Sequence, residues 1–331
     1  MSQQPLVSIL INNYNYGRFL QTAIASALEQ SYQPIEVIVV DDGSTDNSQE
    51  IIASFGDRIK AILKENGGQA SAFNQGFASS QGDIICFLDS DDLFKPEKVA
   101  EIVHDFQQDQ EIGWHFHHLE LFGEVIATNP AVTDINDPSL SGIYNLMPYM
   151  RKGKLANCLP FDLSTAKSAM SFQRSLLEQI LPMNQNIRIT SDDYIKYATL
   201  GISKGFISFQ PLAKQRIHGN NAYIGNTKVG ILKGLIQILT AANLKEKFPE
   251  LSKFANNLAA LAIKIFWWLG DDKYEMEKAI TTISAKQLCQ KNCRYTAKRF
   301  ITATYKIFSL NKKTRLNNRL IPIHKSEPTL L

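Results

Sequence analysis

Residues 35–48 read I-E-V-I-V-V-D-D-G-S-T-D-N-S, a short β-branched apolar run that stops at two carboxylates and a tight turn. Residues 83–92, D-I-I-C-F-L-D-S-D-D, follow the same plan: an apolar run, then three carboxylates within four residues. Short apolar runs bounded by turn residues are the signal of buried strands. Residues 6–11 and 59–63 are further runs of this kind. Between the runs, apolar residues fall at helical spacing. Residues 17–30 place Phe19, Leu20, Ile24, Ala27 and Leu28 on one face, a second segment holds Ile51, Ile52 and Phe55, and a third covers 69–79. Strand, helix, strand, helix at this pitch predicts βαβ units and a mostly parallel sheet flanked by helices. Ligands of such sheets bind beyond the carboxyl ends of the strands, so function is expected in the turns that follow them.

Those turns are unusually polar. The first run is followed by Asn12, Asn13, Tyr14 and Asn15, and the second by Asp41, Asp42, Gly43 and Ser44. The third leads to Glu65, Asn66, Gly67 and Gly68, the fourth to Asp89, Ser90, Asp91 and Asp92. Asp and Ser are ordinary helix caps and Gly suits tight turns, so D-D-G-S alone has a purely structural reading. Three carboxylates after one strand exceed what a cap needs. Gathered at one sheet edge, the carboxylates of these turns would raise one another's pKa unless a cation offset the repulsion. Mg²⁺ or Mn²⁺ prefers such oxygen ligands. Gly67-Gly68 would let the backbone approach a nucleotide closely.

In order and spacing these segments resemble the family 2 glycosyltransferases of GT-A fold. V-S-I-L-I-N-N-Y-N at 7–15 looks like that family's first strand and loop, and V-I-V-V-D-D-G-S-T-D at 37–46 like its nucleotide-binding turn. E-N-G-G-Q-A-S-A-F-N-Q-G at 65–76 and I-I-C-F-L-D-S-D-D at 84–92 resemble its third stretch and its D-x-D strand end. More weakly, R-I-T-S-D-D-Y-I at 188–195 is similar to the segment carrying the catalytic base, and R-I-H-G-N-N at 216–221 to an R-x-H loop. The resemblance covers residues 1–221. It implies a Rossmann-like α/β domain and the inverting transfer of a sugar from a nucleotide-diphosphate donor, a uridine diphosphate sugar by default. The acceptor implied is a glycan or lipid-linked sugar of cell-surface polysaccharide synthesis.

The same resemblance implies donor-binding roles for Asn12, Tyr14, Asp41, Asp42, Asn66, Gly68, Gln69, Asp89, Ser90 and Asp91. Asp41 or Asp42 would accept hydrogen bonds from the base and ribose. Mn²⁺ or Mg²⁺ is implied on Asp91 and Asp89, with Asp92 assisting and His218 close to the pyrophosphate as a further ligand. Asp192, three residues before Ile195, is the implied base, and Asp193 is the alternative. Two positions depart from the family pattern. Phe73 stands where many members have Arg, so that donor contact is absent or supplied from elsewhere, and Ser191 replaces a Glu.

The middle of the chain is less regular. Residues 112–121 alternate as an exposed strand does, and W-H-F-H-H within them puts His115 and His117 on one face, as a metal pair or as an acceptor-lining or exposed edge. Residues 128–162, with four Pro among many Asn and Asp, read as loop. Strand then helix is expected over 164–181, a helix with an acidic first turn over 191–200, and a strand over 206–210. After Asn226 long helical patterns run to about residue 310. This divides the chain into a transferase domain, 1–225, and a helical, basic region, 226–331. Within the first, 1–110 would bind the nucleotide sugar, and 111–225 would hold the acceptor and the base.

The chain's 331 residues, 44% hydrophobic and 20% charged, suffice for a sizeable core and exclude a disordered or collagen-like chain. Eleven basic residues and no Asp or Glu lie between 286 and 325, leaving 24 basic against 32 acidic residues elsewhere. In that tail Phe300, Ile301, Tyr305 and Phe308 share a helical face, which suits an anionic membrane surface or packing on the body. No nucleic-acid module accompanies the charge, and nucleic acid is not an expected partner. Cys86, Cys158, Cys289 and Cys293 are too few for a disulfide scaffold, and reduced thiols are expected. The N-terminus lacks a signal-peptide core, and the most apolar later stretch, 258–269, falls short of the ~20 residues that span a bilayer. A cytoplasmic protein is expected, peripheral at the inner membrane face if the tail binds lipid. Two other classes fit less well. A non-catalytic nucleotide-sugar-binding scaffold has no need of a base, and a nucleotidyltransferase would want a basic glycine-rich loop where N-N-Y-N-Y-G offers only Arg18.

Overall fold

The computed structural model describes residues 4–123, 137–154, 167–218 and 227–269. The basic tail, Cys158, Cys289 and Cys293 lie outside the described residues. The first hundred residues form the expected alternation: β1 (Val7–Asn13), α1 (Gly17–Leu28), β2 (Ile35–Asp41), α2 (Ser48–Ser54), β3 (Lys60–Leu63), α3 (Gln69–Ser79) and β4 (Ile84–Asp89). A two-residue strand β5 (Leu93–Phe94) and α4 (Lys98–Gln107) follow. Then come β6 (Ile112–Gly123), β7 (Gly142–Tyr144), α5 (Met147–Arg151), β8 (Met170–Gln173), α6 (Arg174–Ile180), α7 (Ser191–Ile202) and β9 (Lys204–Ile217). The described chain ends with α8 (Thr227–Lys247) and α9 (Ser252–Leu269).

All nine described strands join one sheet, in the order β3-β2-β1-β4-β8-β6-β9-β5, with β7 also paired to β9. The four strands of the βαβ units are parallel; β1, β2 and β4 are the continuous apolar runs expected of buried parallel strands, and β3 is the more exposed edge. Val7, Ile9, Leu10 and Ile11 of β1 and Ile85, Cys86 and Phe87 of β4 are all at most 1% exposed. Helix α1 closes one face with Leu20, Ala23, Ile24 and Ala27. The second half of the sheet is mixed. β8 runs antiparallel to both β4 and β6, and β6 runs parallel to β9.

One register fact positions everything polar. Asn13 pairs with Asp41 across β1 and β2, and Asn12 pairs with Asp89 across β1 and β4. The acidic turns after β2 and β4 therefore flank the end of β1 on the same edge. At the usual strand spacing they face each other across about 10 Å.

Three readings of the middle region are corrected. β6 is an interior strand, and its first six residues are buried. Its alternation looked like that of an exposed strand because histidines occupy inward positions. His115 is fully buried, is hydrogen-bonded through Nε2 to the Asp105 carboxylate at 2.9 Å and stacks on Phe206. His117 is buried beside it, and desolvation pushes both imidazoles below the ordinary histidine range. They are core histidines, neither a surface edge nor an acceptor lining. The segment read as loop contains β7 and α5 among its described residues. The strand expected to stop at Gln210 continues through Pro211 to Ile217. The β6–β9 register shifts at His117 and His118, opposite that proline, which cannot donate to the ladder.

Helices α8 and α9 pack on each other, α8 also on α7 and α9 on α5, so the compact unit runs Met1–Leu269. Among the described residues no helix is long and apolar enough to cross a membrane. Gly205 lies opposite Trp114 in the β6–β9 ladder, and a Cβ there would run into the indole ring, which is fully buried with its Nε1 bonded to Ser203 O. Gly205→Ala is expected to destabilise the protein by about 1–3 kcal/mol, the usual scale of overpacking. Urea denaturation measures it, and an unchanged midpoint would contradict this packing.

Candidate active site

The turn after β2 is locked to the turn after β1. Asp41 is fully buried and accepts hydrogen bonds from Asn13 Nδ2 at 2.8 Å and from Ser44 Oγ and N. Ser44 Oγ also accepts from Asn15 N at 2.8 Å, Thr45 N donates to Asn15 Oδ1 at 2.7 Å, and Gly17 N donates to Asp46 Oδ2 at 2.9 Å. Tyr14 stands at the rim, 48% exposed. Asp42 reaches the other way, to the turn after β3. It accepts from Gly67 N at 2.9 Å and Gly68 N at 2.7 Å and pairs with Lys64. Gly68 has φ +84, and a Cβ there would meet Arg188 at 2.9 Å, so the position suits glycine on two counts.

That third turn is clamped to the start of α7. Asn66 Oδ1 accepts from Arg188 Nη2 at 2.6 Å, Gln69 N donates to Arg188 O at 2.9 Å, and Gln69 Oε1 accepts from both Ser191 N and Ser191 Oγ. Asn66, Gly68 and Gln69, expected at the donor, thus also position the segment carrying Asp192 and Asp193. Asp193 pairs with Lys196 at 2.8 Å. Asp192 accepts no hydrogen bond from the described residues. Burial, and then the charge of Asp193, push it up to about 6, against the opposing pull of Lys167 and Lys196.

The turn after β4 brings the remaining carboxylates together. Asp89 pairs with Lys167, and Asp91 Oδ2 lies 3.1 Å from His218 Nε2. Arg216 Nε donates to the Asp91 carbonyl at 3.0 Å. Burial, then the charge of Asp89, raise the proton affinity of Asp91. Ser90 is buried. Asp92, expected to assist a metal, points away. Its Oδ2 accepts from Ser168 Oγ at 2.6 Å and its Oδ1 from Arg216 N at 2.9 Å. Ser168 Oγ also accepts from Asp89 N, and its carbonyl accepts from the fully buried Lys98 ammonium at 2.6 Å. Desolvation pushes that ammonium down to about 7. Asp92 therefore braces the corner from behind.

Several contributors had escaped the sequence reading. Tyr16 belongs to the N-N-Y-N-Y-G turn, and its hydroxyl is raised by burial and by the charges of Asp91 and Asp89, which sets it beside them. Its ring meets His218 edge-on. Lys167 had no motif to announce it. Its ammonium pairs with Asp89, lies in the field of Asp192 and Asp91, and sits 5.6 Å over the ring of Phe73, which is buried against Phe87. A cation thus stands next to the Phe at position 73.

Among the described residues no three His, Cys, Asp or Glu side chains are arranged to hold a metal ion; Asp89 is paired with Lys167 and Asp91 with His218. The oxygen set still fits a divalent cation. Mg²⁺ is commonly held by one or two carboxylates, with substrate phosphates and water completing the shell. Asn12 Oδ1, one strand from Asp89, is buried without a hydrogen-bond partner, as a group awaiting a ligand would be.

Comparison with known proteins bears on the family and the fold. The family described as Glycosyl transferase family 2 matches residues 8–154. An uncharacterized glycosyltransferase of Nostoc sp. is 38% identical over 224 residues, covering 66% of each chain. One of Rickettsia typhi is 30% identical over 236 residues, covering 69% of each. The chain thus spans about two thirds of the length of these relatives. Among solved structures, residues 1–349 of Staphylococcus aureus TarS share the fold, with a TM-score of 0.57 at 15% identity over 83% of this chain and 78% of that one. TarS 1–349 in complex with UDP-GlcNAc aligns with a TM-score of 0.55 at 16% identity over the same shares of the two chains.

Ser168→Ala tests the bracing of the acidic corner, since it removes a donor from the buried Asp92 carboxylate. A loss of about 1–3 kcal/mol is expected, the scale of a buried acceptor left short of its partner. Chemical denaturation reads it, and a loss too small to measure would contradict the bracing.

Proposed function

The chain belongs to glycosyl transferase family 2, and on that premise we propose that it transfers a sugar, with inversion, from a nucleoside-diphosphate donor to a hydroxyl of a glycan or lipid-linked acceptor. The observation that carries this reading is the convergence of the β2 and β4 acidic turns on the end of β1, with Asp192 in the same electrostatic cluster. The turns around Asn12, Tyr14 and Asp42 frame the nucleoside. Asn66, Gly68 and Gln69 complete that wall. Asp41 serves from within, as the post on which Asn13 and Ser44 are hung.

Asp91 and Asp89, with Ser90 between them and His218 on Asp91, are the residues to hold Mn²⁺ or Mg²⁺, whose charge would stabilise the departing diphosphate. Asp192 accepts the proton of the acceptor hydroxyl. The acceptor oxygen bonds to the anomeric carbon as the bond from that carbon to the phosphate oxygen breaks, and the electron pair leaves with the nucleoside diphosphate. A proton affinity near 6 suits this work, because the carboxylate is ionised at neutral pH yet basic enough to take a proton. Asp193 is engaged by Lys196, which favours Asp192 over its neighbour. TarS, a fold neighbour, has been crystallised with UDP-GlcNAc, so uridine diphosphate sugars are the first donors to test.

Asp192→Asn is expected to lower kcat by about 10²–10⁴-fold, the contribution of a positioned general base, while leaving donor affinity within a few-fold. In the wild type, kcat/KM should rise with pH through about 6 and level off above it, because the base must be unprotonated to act. The residual activity of Asp192→Asn should lack that limb. Turnover at the wild-type rate in Asp192→Asn, or loss of the limb in Asp193→Asn instead, would overturn the assignment.

A further inference from the structure

Lys167 occupies a position that the transfer chemistry alone does not call for. It precedes β8 and is only 10% exposed at its side chain, yet its ammonium is surrounded by acid: Asp89 in direct contact, with Asp91 and Asp192 in its field. It is held there by packing as well as charge, since the ammonium lies over the Phe73 ring and the next residue, Ser168, is pinned to Asp92, to Asp89 N and to Lys98. The cation therefore sits between the carboxylates that end β4 and the carboxylate that starts α7, which belong to different halves of the site.

We propose that Lys167 is an internal counter-ion that holds the place of the divalent cation in the donor-free protein and yields Asp89 when metal and diphosphate enter together. This inference rests on the donor-site reading above. An ammonium on Asp89 competes directly with any metal for the same oxygen. Without it, Asp89, Asp91 and Asp192 would lose a cation that lies in the field of all three, and Asp89 and Asp91 would take up a free divalent cation more avidly. The displaced ammonium stays tethered among the anions and is within reach of the arriving phosphates. Lys167 thereby makes metal binding conditional on the donor and gives the diphosphate a cation even where metal is absent. Its role is positioning: it offsets the charge of Asp89 and then that of the entering donor.

The distinguishing consequence is a gain that a merely structural lysine could not produce. In Lys167→Met, Mn²⁺ titrated into the nucleotide-free protein and followed by the electron paramagnetic resonance of free Mn²⁺ should bind about tenfold or more tighter than in wild type, the scale on which one close opposite charge alters a carboxylate's affinity for a cation. Uridine diphosphate titrated calorimetrically in the presence of a chelator should bind about tenfold more weakly in the same variant. Lys167→Arg should restore both values toward wild type. Thermal denaturation reports whether each variant is folded, and Lys167→Gln takes the place of Lys167→Met should the latter not fold. Unchanged or weaker Mn²⁺ affinity in the folded, uncharged variant would overturn the counter-ion role. Because the Mn²⁺ titration contains no nucleotide, that failure is separate from the failure of the donor-site reading, which would show as a wild-type protein that binds no uridine diphosphate at any Mn²⁺ concentration.

Discussion

A carboxylate taken out of water at the edge of a sheet must find its partners inside the protein, and this constraint divides the acids of the site into two groups. Asp41, Asp42 and Asp92 are at most 4% exposed, and backbone amides, hydroxyls or a side-chain amide satisfy them, with a lysine also on Asp42. Such bonds tie turns to strands and do not exchange with a ligand at little cost, because leaving a buried carboxylate short of a donor is expensive. Asp89, Asp91 and Asp192 are half-buried, and side chains that can be exchanged for a ligand stand around them: Lys167 on Asp89, the His218 imidazole beside Asp91, and Lys167 with Lys196 in the field of Asp192. Charge partners of this kind can be replaced by another cation. The first group builds the site, and the second is the one to which the proposed chemistry is assigned.

The arrangement also explains why the three turns act as one object. β1 lies between β2 and β4, so its terminal asparagines face both acidic turns, Asn13 toward Asp41 and Asn12 beside Asp89. Asp42 passes the connection on to Gly67 and Gly68, and the turn they form passes it through Asn66 and Gln69 to Arg188 and Ser191 at the head of α7. A displacement of the turns after β1 and β2 is therefore felt at the head of α7. Preorganisation of this kind matters for transfer, since acceptor, anomeric carbon and leaving phosphate must be aligned before any bond changes.

Much of this could be read from the sequence, and for a physical reason. Strands buried on both faces have to be continuous apolar runs, and the polar residues that end them stand out sharply; β1, β2, β4 and the D-D-G-S and D-S-D-D turns were legible on that basis. The signal failed where burial and polarity part company. His115 and His117 made β6 look like a solvent-facing edge, yet burial favours the neutral form of both, and the first is hydrogen-bonded to Asp105. Pro211 hid the second half of β9, and two-residue β5 has no pattern at all. Within D-S-D-D, three carboxylates of equal appearance serve differently, because only the fold decides that Asp92 turns back to Ser168. Lys167 was invisible for the complementary reason. A single lysine near the start of a segment read as strand then helix carries no motif, and its meaning comes wholly from a contact 78 residues away in the chain.

Crystals grown with Mn²⁺ and uridine diphosphate, with data collected at a wavelength where manganese scatters anomalously, address the central claim most directly. The expected result is one strong anomalous peak at bonding distance from the Asp91 carboxylate and the diphosphate, with the uridine lodged between the turns that follow β1, β2 and β3. A nucleotide bound away from the carboxyl edge of β1, β2 and β4, or manganese bridging the diphosphate without touching Asp91, would contradict it.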